Sequence, residues 1–180
     1  RLHGYELMMA PYAIAHMKIG LILHETGYRF GSKERARIYL TNALEPPPRQ
    51  DMTELFESMA PALAHEAKAV NTVKRKQRFT VVIGNPPYSV ISSNMNEWIT
   101  SLCEIYKINV RKRERQIQAL SDDYIKFLRL MQWHIDRNEI GVVNIITNNG
   151  FLDGHLFSDV RESLVLSFNK FYILNLHGNL

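Results

Sequence analysis

The run Phe79-Thr80-Val81-Val82-Ile83-Gly84 stops abruptly at Asn85-Pro86-Pro87-Tyr88, and this junction constrains the fold more than any other feature of the chain. The run is short, rich in β-branched residues and nearly all apolar, the pattern of a strand buried on both faces of a parallel sheet. Prolines fix φ and carry no N–H, so a hydrogen-bonded ladder cannot continue through residues 86 and 87. Residues 85–88 are therefore expected at the carboxyl end of a strand, the edge at which open α/β sheets bind ligands.

The remainder alternates between strand and helix patterns, which predicts an α/β domain with a mainly parallel sheet. A strand is expected at 2–7. Pro11 sits where the first turn of a helix tolerates proline. Ile14, Met17, Ile19, Leu21 and Ile22 then outline a helical face to about His24, with Gly27 as its stop. A strand at 37–41 is closed off by Pro46-Pro47-Pro48. A helix beginning at Asp51 places Leu55, Met59, Leu63 and Ala67 four residues apart, with Pro61 kinking or dividing it. A polar, partly helical excursion occupies 92–120. A long helix runs from Asp122 or Asp123 to about Asn138, buried along Tyr124, Phe127, Leu128, Met131 and Ile135. A buried strand at 141–147, a helix at 156–168 and a last strand at 170–176 complete the reading. No stretch has the composition of a linker, so 1–180 reads as a single domain.

The chain has 180 residues, 46% hydrophobic and 22% charged, enough for one domain with a core. No apolar run approaches the ~20 residues of a membrane span. Cys103 is the only cysteine, which excludes an internal disulfide and a thiolate-only metal site and fits a reducing cytoplasm. A net charge of +4 suits a polyanionic partner. Two clusters concentrate it, Lys74-Arg75-Lys76-Gln77-Arg78 and Arg111-Lys112-Arg113-Glu114-Arg115. Each is open to two readings, a solvated face or a set of phosphate contacts.

The chemistry that needs Asn-Pro-Pro-Tyr at a sheet edge is transfer to a planar amino group. The lone pair of an exocyclic amine is delocalised into its ring, so the nitrogen is a poor nucleophile. Two acceptors aimed at its two hydrogens favour the tetrahedral nitrogen that attacks. The Asn85 amide oxygen supplies one acceptor and the Pro86 carbonyl the other, and the prolines stiffen the turn. Tyr88 offers a π-face on which a base rotated out of a duplex can stack. The nitrogen can lose its proton after the transfer, so no base of unusual pKa is needed.

Asn85-Pro86-Pro87-Tyr88 resembles the catalytic motif of amino-methyltransferases acting on adenine. Four further blocks resemble one branch of these enzymes: 4–16 around Gly4-Tyr5-Glu6-Leu7, 122–127, 145–154 and 173–179. Together they resemble the methyltransferase domain of large single-polypeptide restriction–modification enzymes, the type I kind that also contains a helicase. The resemblance covers nearly the whole chain and is loosest at 92–120. It implies a Rossmann-like, S-adenosylmethionine-dependent methyltransferase fold with a mostly parallel sheet. It also implies roles: Asn85, Pro86, Pro87 and Tyr88 in catalysis; Glu6, with Leu7 beside it, on the cofactor ribose; Asn42 and Leu44 at the cofactor adenine; Asn85 beside the cofactor as well. A carboxylate at the end of a strand can pair with a vicinal diol, as in dinucleotide-binding folds. Position 42 departs from the aspartate usual there. Tyr124 and Phe127 either wall the cofactor pocket or belong to the core, and Asn148, Asn149 and Phe151 either face the target or make an ordinary turn. His177 and Asn179 are given no catalytic role, and Trp98 and Trp133 are read as packing anchors.

The implied partners are double-stranded DNA with a flipped adenine and the rest of a longer polypeptide carrying nuclease, helicase and target-recognition regions, in a bacterial cytoplasm. No metal and no membrane enter the expectation. In the family's fold a first strand ends in a glycine-rich turn and lies between the strand ending at Glu6 and the strand ending at Gly84. No Gly-x-Gly occurs in the chain, which begins at Arg1 and reads as a fragment lacking that N-terminal strand and loop. Its strands are then expected to pair in another order, to associate with other chains, or to be completed by a longer polypeptide, since unpaired edges are unstable. Other readings are an amino-methyltransferase acting on RNA or protein glutamine, and a catalytically inert nucleic-acid-binding fragment. A nicotinamide oxidoreductase would use Glu6 but lacks the glycine fingerprint and leaves 85–88 unexplained.

Overall fold

A computed structural model of the chain describes residues 2–31, 34–47, 61–87 and 92–176. They divide into two compact units, Arg1–Gln77 and Arg78–Leu180.

In the first unit, strand β1 (Gly4–Glu6) pairs in parallel with β2 (Ile38–Leu40), in the register Gly4 with Ile38 and Glu6 with Leu40. Parallel neighbours need a crossover, and helix α1 (Met9–Glu25) supplies it. The helix ends as its sequence predicts. Gly27 adopts φ +84°, its N–H donates to His24 O and the Tyr28 N–H donates to Leu23 O, the paired bonds of a Schellman stop. The expected apolar face of α1, however, is only partly covered among the described residues: the helix lies on β2 with Ile19 half-buried, but none of its residues is fully buried, and Ile14, Met17, Leu21 and Ile22 are exposed. Helix α2 (Pro61–Lys76) packs on β2 and completes a small core with Ile38, Tyr39, Leu44, Ala64, Val70 and Val73. The first turns of the helix expected from Asp51, and any kink before Pro61, lie outside the described residues.

In the second unit, β3 (Val81–Gly84) pairs in parallel with β4 (Val142–Ile145), Val81 opposite Val142 and Gly84 opposite Ile145. Between them come α3 (Glu97–Cys103), the short α4 (Val110–Arg113) and α5 (Asp123–Asp136). After β4 follow α6 (Gly150–Asp153) and α7 (Ser158–Ser167). Asn96 caps α3 by accepting the Ile99 N–H at 3.1 Å, which satisfies one of the donors a helix start leaves open. Helix α5 is buried along most of its circumference and joins Tyr106, Val110, Leu120, Phe157, Val160 and Leu164 in the core.

Two expectations are corrected here. The strands β3 and β4 are not buried on both faces. One face lies on α5, while Val81 (61% exposed), Ile83 (68%) and Val142 (57%) stand on the other with no cover among the described residues. The apolar run reports which side chains seek burial, and among the described residues α5 provides it on one face. Residues 170–176 form no strand either. Phe171, Tyr172, Ile173, Leu174 and Leu176 are exposed, because a strand exists only through a ladder partner and none of the described strands provides one.

Candidate functional site

The first unit brings Glu6, Leu7, Asn42 and Leu44 to one edge. Glu6 ends β1 opposite Leu40, and the Thr41 N–H donates to Glu6 O at 2.7 Å. Asn42 follows within two residues, so both polar side chains stand at the carboxyl edge of the same parallel pair. Glu6 Oε1 accepts the Met8 N–H at 2.9 Å at the start of α1, where a helix favours negative charge. Its other carboxylate oxygen has no hydrogen bond among the described residues. Leu7 is exposed, whereas Leu44 is fully buried beneath the turn.

The turn from Asn42 to Glu45 is tightly bonded. Asn42 Oδ1 accepts the Leu44 N–H at 3.0 Å, Asn42 Nδ2 donates to Glu45 Oε1 at 3.3 Å, and the Glu45 N–H donates to Asn42 O at 3.2 Å. Lys74 Nζ reaches the same turn from α2, donating to Asn42 O at 2.6 Å and Glu45 O at 2.9 Å. Lys74 is only 8% exposed. Burial pushes its pKa down to about 8, against the opposing pull of the Glu45 carboxylate. This corrects both readings of the first basic cluster at this position, since Lys74 is neither on a solvated face nor placed to meet a phosphate. Lys76 remains exposed on the last turn of α2.

The second unit holds the catalytic candidates. Gly84 ends β3, and Asn85, Pro86 and Pro87 leave at the carboxyl edge, with Pro86 buried and Asn85 exposed. The Ile146 N–H donates to Gly84 O at 3.1 Å, so the β4 chain accompanies β3 to the start of the turn. A Cβ at 84 would meet the tip of the Met131 side chain on α5, which would have to swing aside. Tyr88 lies outside the described residues, as do His177 and Asn179. Beside this edge, Thr147 Oγ1 is buried with no hydrogen-bond partner among the described residues, a position the sequence did not single out. Asn148 Oδ1 accepts the Gly150 N–H at 2.7 Å, the bond of an ordinary turn. Tyr124 is buried against Phe157 and belongs to the core, while Phe127 is half-buried. Trp98 and Trp133 meet edge to face with ring centroids 5.5 Å apart, and the Arg137 guanidinium lies 4.3 Å from the Trp133 ring centre.

A buried polar network, also unannounced by the sequence, follows the proline turn. Asp123 Oδ1 accepts from Ser92 Oγ at 2.5 Å and Asn94 Nδ2 at 3.0 Å, and Lys126 Nζ donates to Ser92 Oγ and Asn94 O, both at 2.6 Å. Asp123 and Lys126 are both buried on the first turn of α5, and burial lowers the Lys126 pKa. The only signal in the sequence is the spacing of three, which puts both side chains on one face of a helix. In the second basic cluster, Arg111 pairs with Glu104 at 2.8 Å and Arg113 with Ser158 Oγ at 3.0 Å, while Lys112 and Arg115 are exposed. Among the described residues no group of His, Cys, Asp and Glu side chains could hold a metal ion, and no helix is long and apolar enough to cross a membrane.

Comparison with known proteins gives a consistent answer. A family model described as the Eco57I restriction-modification methylase matches residues 5–178. Among solved structures, a nuclease-deletion mutant of the Type ISP restriction-modification enzyme LlaGI, in complex with a DNA substrate mimic, aligns with a TM-score of 0.70 and 22% identity over 93% of this chain. The ATP-dependent Type ISP restriction-modification enzyme LlaBIII bound to DNA aligns with a TM-score of 0.65 and 25% identity over 91% of it. The chain spans 15% of the first protein and 11% of the second. No curated protein matches.

Proposed function

Because the chain belongs to the Eco57I restriction-modification methylase family, we propose that it is part of the catalytic domain of an enzyme that methylates the N6 amino group of adenine in DNA. The donor is S-adenosylmethionine, which supplies an electrophilic methyl group on a sulfonium when bound. The residues present fit it: a carboxylate with a free oxygen and a bonded turn stand at one carboxyl edge, the donor and acceptor set that a ribosyl adenine needs. Glu6, beside Leu7, holds the ribose hydroxyls, and the Asn42–Leu44 turn receives the adenine.

The target adenine leaves the duplex and enters at the turn after β3. The Asn85 amide oxygen and the Pro86 carbonyl accept its two amino hydrogens and hold the nitrogen lone pair toward the methyl group. Pro87 keeps the turn rigid, and Tyr88 stacks on the ring. The proton leaves the nitrogen after transfer. The observation that carries this reading is the rigid Asn85-Pro86-Pro87 turn at the carboxyl end of a parallel strand in a chain of this methylase family.

Residues 1–180 form one partial, Rossmann-like domain of a longer bacterial cytoplasmic polypeptide, which carries helicase, nuclease and target-recognition regions. The strand pairing supports this. Among the described residues β1 pairs in parallel with β2 and β3 with β4, the parallel pairing that a Rossmann-like sheet uses. The LlaGI and LlaBIII structures, both with DNA or a mimic of it, support DNA as the partner. The test is methyl transfer from labelled S-adenosylmethionine by the full polypeptide, with the product nucleoside identified by mass spectrometry. Methyladenine that disappears in Asn85→Ala is the expected result. Label on RNA or protein instead would transfer the reaction to another planar amine, and DNA binding without any label would leave an inert binding fragment.

A further inference from the structure

We propose that Lys74 is a positioning residue for the cofactor adenine: from α2 its ammonium clasps the Asn42–Glu45 turn by two backbone carbonyls and fixes where the adenine sits. The inference rests on the cofactor role proposed for Glu6, Asn42 and Leu44. The turn satisfies its own donors, with the Leu44 and Glu45 N–H groups and the Asn42 amide all bonded inside it. The Asn42 carbonyl accepts the Glu45 N–H within the turn and also a bond from Lys74 Nζ, and the same ammonium donates to the Glu45 carbonyl, so one group ties the two ends of the turn together. The same ammonium lies 5.8 Å from the centre of the Tyr5 ring. Tyr5 is the residue before Glu6, so one lysine braces the turn and backs the strand end that carries the ribose acid.

A lysine buried to this degree gives up its hydration. It therefore contributes nothing to a basic surface, although it opens the most basic stretch of α2. Its charge-assisted bonds set the geometry of the turn, and losing them should be felt where the turn meets its ligand. Removing a charged donor shared by two part-buried carbonyls is expected to weaken binding at the turn by about tenfold or more.

The test uses the full polypeptide that carries these residues. Lys74→Met keeps the stem and removes the ammonium, Lys74→Arg keeps charge and donors, and Lys76→Met removes an exposed charge two residues away. Kinetics give kcat and the KM values for S-adenosylmethionine and DNA, and hydrogen exchange reads the amides of residues 44 and 45. Lys74→Met is expected to raise the cofactor KM about tenfold or more, to leave kcat at saturating cofactor within about twofold, to leave the DNA KM unchanged and to speed exchange in the turn. Lys74→Arg should recover most of the loss, and Lys76→Met should leave the cofactor KM alone. An unchanged cofactor KM in Lys74→Met overturns the proposal. So does a parallel rise in the cofactor and DNA values, which would mark a phosphate contact or general loosening. If Lys74→Met does not fold, Lys74→Gln is read in the same way, and failure of both to fold overturns the proposal in favour of a purely structural lysine. A wild-type enzyme that takes no S-adenosylmethionine overturns the function reading and this inference with it, and is recognised because it is independent of residue 74.

Discussion

Helices α1 and α5 invert the usual relation between composition and burial. Helix α1 is apolar nearly all round, yet none of its residues is buried. Helix α5 carries Asp123, Lys126, Arg129, Gln132 and His134, and all of them are buried. The difference lies in what surrounds each helix. α5 is enclosed by β3, β4, α3 and α7, and its polar groups have partners there. Tyr106 Oη donates to Gln132 Oε1 at 2.6 Å, Gln132 Nε2 donates to Ser163 Oγ at 2.9 Å and Ser167 Oγ at 2.7 Å, and Arg129 Nε donates to Leu102 O at 2.9 Å. Burial of a polar group is tolerable when each donor and acceptor is met. An apolar stripe, by contrast, is buried only if something is there to cover it.

The contrast can be broken by substitution. Ile125, fully buried on α5, should show the largest effect: Ile125→Ala should lower unfolding free energy in urea by about 3 kcal/mol. Gln132→Ala leaves the buried Tyr106 hydroxyl without its acceptor and should lose about 2 kcal/mol. A double-mutant cycle with Tyr106→Phe should return part of that loss; strict additivity would show that the bond does not matter.

Lys74 sharpens the comparison from the first unit, since it too is a buried polar group whose partners make it tolerable. Its folded pKa, about 8, lies below the ordinary lysine value. Above pH 8 the folded chain therefore gives up this proton while the unfolded chain keeps it. Unfolding then takes up a proton, and this group makes stability rise with pH by about 1 kcal/mol per unit between pH 8 and the unfolded lysine value. Thermal unfolding of wild type and Lys74→Met across that range should show the difference, and identical pH dependence would remove Lys74 as its source.

The smallest effects belong to α1. Gly20 sits inside it with open space around its Cα, so Gly20→Ala should stabilise by about 0.5–1 kcal/mol through helix propensity alone. Met17→Gln should change stability by less than about 0.5 kcal/mol. A loss of about 2 kcal/mol in the full polypeptide would show that α1 is covered there, because that is the scale of a buried apolar side chain.

Local punctuation was legible in the sequence. Gly27 stops α1, Gly84 and the prolines end β3, and the periodicity of 123–136 gives α5. What failed was non-local. The pattern at 170–176 has strand character, but a ladder partner is not written in a strand's own residues. The same holds for the outer face of β3 and β4. Lys74 was read with its charged neighbours because sequence shows charge and not orientation; its place on the inner side of α2 puts it under the turn after β2. Of the candidate site, the structure places Glu6 and Asn42 at one edge and Asn85 to Pro87 at the end of β3, while Tyr88 lies outside the described residues. The Asp123–Lys126 network escaped notice because its partners, Ser92 and Asn94, are thirty residues away in the chain and carry no distinctive pattern.

The contact between position 84 and Met131 has an evolutionary consequence. Glycine at 84 leaves room for the methionine tip beneath the strand that leads to Asn85, and a side chain there would push that tip aside. The two positions should therefore change together. Relatives with a side chain at 84 should more often carry a shorter residue at 131 than those with glycine there.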